Sequence, residues 1–211
     1  AAALHEKVIA VIADAGGDAA ALADEEGLAL GLEYQRGVLL LEQDEVAEAA
    51  ELFRRLLARE PRFIPALIMH GEAELLAERE EAAVDTWRRG YLETGSPVFL
   101  QRIEDHFIES EEPLRAIETL RGLIAEASND LLPRFYLGRL YYRLEMLDDA
   151  EKVLESLSDR IRSSPTFHQL LGRIHERRGQ LAAALDAYKS CLRELDLGAA
   201  EYVCGVCRQR Y

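Results

Sequence analysis

Apolar residues recur along this chain at helical spacing, and over that short period runs a longer one. Gly37, Gly71, Gly138 and Gly172 are separated by 34, 67 and 34 residues, the middle gap being two periods less one residue. Each glycine lies in an apolar-rich stretch (Tyr34 to Leu41, Leu67 to Leu75, Phe135 to Tyr142, His168 to His175), and a short polar turn and a second helical stretch follow. Twelve positions after each glycine stands a small residue, and four further on a large one: Ala49 and Phe53, Ala83 and Trp87, Ala150 and Leu154, Ala184 and Tyr188. Ala116 and Leu120 hold these places in the double gap, where Glu104 replaces the glycine, so the third unit is degenerate.

This spacing encodes packing. Two antiparallel helices approach closely only where a side chain is small or missing, and the large residue is expected to plug the gap to the next unit. A mid-helix glycine costs about 1 kcal/mol relative to alanine, so four at equivalent places imply a compensating close contact. Pro61, Pro97, Pro133 and Pro165 stand at or near the starts of successive units, where a first helical turn tolerates a missing N–H.

With Leu137-Gly138, Ala150 and Leu154, and again Leu171-Gly172, Ala184 and Tyr188, the sequence resembles the tetratricopeptide-repeat (TPR) family over residues 28–198. The resemblance implies an all-α fold, a right-handed superhelix of antiparallel helix pairs. Five repeats are expected at about 30–63, 64–96, 97–130, 131–164 and 165–198. Residues 1–27 carry an apolar stripe (Leu4, Val8, Ile9, Val11, Ile12) before Gly16-Gly17 and read as the second helix of a truncated earlier repeat with its linker.

Composition supports helices and narrows the partners. Of the 211 residues 49% are hydrophobic and 30% charged, with 14 glycines and 6 prolines, the balance of amphipathic helices. A net charge of -14 disfavours nucleic acid, whose non-specific affinity comes from cationic side chains. No stretch is long and apolar enough to span a bilayer. No phosphate-binding glycine loop, nucleophile elbow or H-E-x-x-H helix occurs, so a non-enzymatic scaffold is expected. His5, His70, His106, His168 and His175 are scattered and read as surface or packing residues.

The last ten residues break the helical pattern and present C-x-x-C at Cys204 and Cys207, with Tyr202 two positions before. This resembles one knuckle of a rubredoxin-type site, with Arg208 where such knuckles usually have glycine. Two thiolates so spaced can grip one tetrahedral metal ion, and a second pair would complete the site. Residues 199–211 therefore read as the first half of a metal domain taking iron or zinc in the full-length protein, with none bound in the fragment. A redox dithiol or an unrelated pair of cysteines are the competing readings. Cys191, in the last repeat, reads as packing.

Repeats followed by such a knuckle resemble the C-terminal part of the lipopolysaccharide assembly protein B family, through Tyr34 to Pro61, the later repeats and Tyr202 to Cys207. That resemblance implies a protein on the cytoplasmic side of the bacterial inner membrane, held there only by an N-terminal anchor missing from this soluble fragment. It implies an adaptor that links a membrane ATP-dependent protease to the deacetylase committing precursors to lipid A, restraining lipopolysaccharide synthesis. A general cytoplasmic interaction or chaperone module is the alternative, and a metal-dependent redox protein a third.

By analogy with the repeat family, residues one and five positions after each glycine face a groove: Val38 and Glu42, Glu72 and Leu76, Asp105 and Glu109, Arg139 and Arg143, Arg173 and Arg177. Four arginines then share one patch with Phe135 and Tyr142, suited to acidic side chains or a terminal carboxylate. The competing reading pairs these arginines with local acids such as Glu145 and Glu176.

Overall fold

The computed structural model describes residues 19–161 and 163–195, and among them every regular element is helical. The helices are α1 (Ala19–Glu42), α2 (Val46–Arg59), α3 (Ile64–Leu76), α4 (Glu80–Thr94), α5 (Pro97–Glu109), α6 (Pro113–Glu126), α7 (Leu132–Arg143), α8 (Leu147–Glu155), the short α9 (Ser158–Ile161), α10 (Pro165–Arg177) and α11 (Leu181–Glu194). They fall into two compact units divided between His106 and Phe107, within α5.

In the first unit α1 packs on α2, α2 on α3, and α3 on α4. α1 runs unbroken through Gly27 and Gly31, so the first helix of the first repeat reaches back to Ala19 rather than starting near residue 28. Ala49, Phe53, Leu56, Ala66 and Ala73 form a buried cluster, and the Tyr34 ring lies 6.2 Å from Phe53 and 5.7 Å edge-on from Phe63. Trp87 is almost fully buried, its indole N–H directed at the Ile68 carbonyl at 3.4 Å. Each such side chain contributes on the order of 1.5–3 kcal/mol through removal from water.

In the second unit α6 packs on α7, α7 on α8, and α10 on α11 and α8. The second helix of the fourth repeat stops early: Ser156 donates its hydroxyl to the Val153 carbonyl at 2.6 Å, and the chain restarts as α9.

The spaced glycines meet their large partners, with one correction. A Cβ built on Gly37 would lie 2.6 Å from the Phe53 ring, one on Gly172 2.6 Å from Tyr188 and one on Gly138 3.0 Å from Leu154, while one on Gly71 would run into the Trp87 indole. Each large residue thus closes over the glycine of its own repeat instead of plugging the gap to the next. The reason is geometric: sixteen positions carry the chain through one turn and back to the same level of the helix pair. In the third repeat Glu104, in the glycine's place, is fully buried.

Proline also acts one step differently from expectation. Pro61 sits in the turn before α3, and Pro65 occupies that helix's first turn. Pro113, Pro133 and Pro165 do the same for α6, α7 and α10, the last with Ser164 as an N-cap accepting from the Phe167 N–H.

Every turn between the two helices of a repeat closes the same way. Asp44, Glu78, Glu111, Glu145 and Gly179 have φ of 63°, 58°, 59°, 58° and 72°. The amide that follows each bonds back five residues: Glu45 to Leu40, Arg79 to Glu74, Glu112 to Phe107, Met146 to Tyr141 and Gln180 to His175, at 2.8–2.9 Å. These are Schellman caps, which ordinarily favour glycine at the left-handed position. Four of the five carry an acidic residue there instead.

Candidate protein-binding groove

The arginine patch lies within the second unit, on α7 and α10. Pro133 and Pro165 start these helices, and burial of Tyr136, Leu137, Leu140 and Tyr141 on α7 and of Phe167, Leu170 and Ile174 on α10 fixes which faces remain outside. Arg139 and Arg173 occupy equivalent places, one residue after Gly138 and Gly172. The Arg139 guanidinium stacks 4.0 Å above the Tyr136 ring, an orientation worth about 0.5–1 kcal/mol at a partly exposed site. Phe135 packs edge-on against the same ring at 6.3 Å.

On α10, Arg173 and Arg177 are both exposed. Arg177 pairs with Glu145, the left-handed residue of the α7–α8 turn, at 2.7 Å. The local-acid reading therefore holds for this arginine, although with both partners more than half exposed the pair contributes at most about 1 kcal/mol. Glu176 goes elsewhere, accepting the Tyr188 hydroxyl at 2.8 Å. Burial first, and then this carboxylate, push the Tyr188 hydroxyl up to about 12. Arg173 works the other way, its positive charge favouring the ionised tyrosine and offsetting part of that rise. Tyr188, which the sequence reading used only as a packing residue, thus also ties α11 to α10 through Glu176.

The structure also assigns a role to a neighbour that the sequence reading missed. Arg178, mostly buried, pairs with Glu151 at 2.5 Å and with Asp148, clasping the end of α10 to the start of α8. His175 approaches Glu151 at 3.7 Å beside it. In the first unit the groove position Glu72 is taken by Arg102 at 3.1 Å, and Leu76 is exposed. Cys204 and Cys207 lie outside the described residues, as does His5. Among the described residues no cluster of three His, Cys, Asp or Glu could hold a metal, and no helix is long and apolar enough to cross a membrane.

Stacked helix pairs that bury a glycine-centred seam and leave one helical face polar and ordered define a helical-repeat scaffold. Two tetratricopeptide-repeat family models match the chain, over residues 34–97 and 107–174, and the chain belongs to the tetratricopeptide-repeat family. Among solved structures it is similar to a thermophilic TPR protein of Thermus thermophilus, with a TM-score of 0.52 at 18% identity over 80% of this chain and 93% of that one. It is also similar to the MamA protein, with a TM-score of 0.50 at 17% identity over 84% and 97%. At such identities the likeness concerns the fold alone. No curated protein matches the sequence. Both matching models describe tetratricopeptide repeats, a scaffold fold for holding proteins or peptides.

Proposed function

We propose that this chain is an adaptor whose α7 and α10 face holds an acidic segment of a partner protein. The observation that carries the reading is Arg139, its guanidinium over the Tyr136 ring, at the repeat position equivalent to the exposed Arg173 in a chain of net charge -14. Phe135 and Tyr142 add apolar area beside the cations, and Arg143 and Arg177 extend them along the same helices. A carboxylate arriving here gains charge-assisted, two-point hydrogen bonds that solvent-exposed lysines would not supply.

The particular partners follow from the resemblance of the repeats and the Cys204–Cys207 motif to the lipopolysaccharide assembly protein B family. On that reading the adaptor joins a membrane ATP-dependent protease to the lipid A committing deacetylase at the inner membrane, and the cysteine pair supplies two of four thiolates for iron or zinc. The test is co-purification of the chain with each of those two proteins, using Arg139→Glu/Arg173→Glu with helicity checked by circular dichroism. Loss of one partner with helicity intact supports both the groove and its occupant. Retention of both partners by the variant overturns the groove. Capture of neither by the unaltered chain overturns the lipopolysaccharide role and leaves a general interaction module.

A further inference from the structure

A second candidate site lies in the first unit, on the opposite kind of surface. α2 and α4, the second helices of the first two repeats, flank a cleft of about 290 Å³ with α3 at its base, near the lower limit of ligand pockets. Leu57, Ala58, Pro61 and Leu67 make it apolar. Arg54 stands on one rim and Arg89 on the other, with Glu93 further along α4.

His70 lines this cleft, and its hydrogen bonding is incomplete. Its Nδ1 is buried without a partner. Its Nε2 lies 3.6 Å from Glu74, too far for a good hydrogen bond, because Glu74 is drawn to Arg79 at 2.5 Å. An orphaned buried ring nitrogen costs about 1–3 kcal/mol, and a group entering the cleft with a suitable polar atom would recover part of it.

The rim arginines are held in place rather than loose. Glu51 fixes Arg54 by two contacts of 2.7 and 2.8 Å, and Asp85 holds Arg89 at 2.9 Å. Each carboxylate lies three or four residues back on its own helix and leaves other guanidinium N–H groups for an incoming anion. Side chains anchored in this way lose less rotamer freedom on binding.

We infer that this cleft is a docking site for a partner segment carrying one bulky apolar side chain flanked by carboxylates. The apolar residue enters between α2 and α4 beside His70, and the flanking acids meet Arg54 and Arg89. Charge complementarity selects this occupant, since the lining carries two arginines against the single carboxylate of Glu93 in a chain of net charge -14. The site is independent of the arginine groove and would let one scaffold hold two segments at once.

The test uses the 211-residue chain and a fluorescein-labelled peptide Asp-Asp-Leu-Phe-Asp-Glu, followed by fluorescence polarisation. Arg54→Glu/Arg89→Glu should weaken binding by roughly tenfold or more, whereas Lys152→Glu/Lys189→Glu, at exposed positions of α8 and α11 and with the same change in net charge, should leave it within about twofold. Ala58→Arg, at an exposed position, should block the cleft without touching the core. A peptide with alanine in place of Leu-Phe should lose binding even though its charge is unchanged. Overturning results are no saturable binding below about 1 mM, equal losses in the two double variants, or unimpaired binding by Ala58→Arg or of the alanine peptide.

Discussion

The two units follow the same packing rule with different side chains. In the first, glycines are closed by large rings, Phe53 over Gly37 and the fully buried Trp87 over Gly71, and the His106 ring meets the indole edge-on at 6.0 Å. In the second, Gly138 is covered by the smaller and more compliant Leu154, and Gly172 by Tyr188, whose hydroxyl reaches Glu176 at the surface. Both units carry polar ties as well, Arg59 to Glu33 and Arg102 to Glu72 in the first, Arg178 to Glu151 and Asp148 and Arg121 to the Tyr141 hydroxyl in the second, so the difference lies in the plugs. A seam closed by one aromatic plug is rigid and intolerant of change. A seam closed by a leucine can adjust, which suits the partner-holding role proposed for this unit's exposed face.

The largest expected difference comes from removing the plugs. Trp87→Ala should cost about 3–5 kcal/mol and Leu154→Ala about 2–4 kcal/mol in urea unfolding followed by far-ultraviolet circular dichroism. An equal or greater loss for Leu154→Ala would break the contrast between the units. Next in size are the glycines. Gly71→Ala should lose about 1–3 kcal/mol because the indole cannot move aside. Gly138→Ala should fall within about 1 kcal/mol of neutral, since Leu154 can yield by a few tenths of an ångström while helix propensity favours alanine.

The smallest effect is on pH dependence, and it belongs to the first unit alone. Burial lowers the pKa of His70 below its ordinary 6.5, against the pull of Glu74. The folded chain therefore holds this imidazole neutral where the unfolded chain would protonate it. The contribution of His70 is complete above about pH 6.5 and declines as the pH falls below that value. His70→Gln should flatten the acid side of a plot of urea midpoint against pH. A slope unchanged by the substitution would remove His70 as its source.

The fold could be read from the sequence because its signal repeats. A glycine, an alanine twelve residues on and a large residue four further are visible without coordinates, since the packing they encode lies within one helix pair. What escaped the sequence depends on where turns bring distant residues. Arg178 meets Glu151 across 27 residues, and no local pattern marks the pair, whereas Glu145 was already a candidate partner for the patch arginines and takes Arg177. The patch residues Arg139 and Arg173 follow from the repeat register. The hydrogen bond from Tyr188 to Glu176 does not, because it depends on how α11 closes over α10. The cleft at His70 draws on Arg54, His70 and Arg89, whose only relation is that three helices meet there. The polar turns themselves were legible, but acidic residues at positive φ hid the type of cap, because glycine is the signal that such caps usually give.

Those acidic caps have a consequence for proteolysis. A glutamate-specific protease must draw its target into an extended strand, and Glu78, Glu111 and Glu145 are each wound into a turn closed by two backbone hydrogen bonds. Cleavage after any of them requires its own helix pair to open, so the rate at each of the three sites follows the opening of the second, third and fourth repeats separately. The chain carries its own set of addressed reporters, and a digestion time course read by mass spectrometry would rank its repeats by the free energy of local opening.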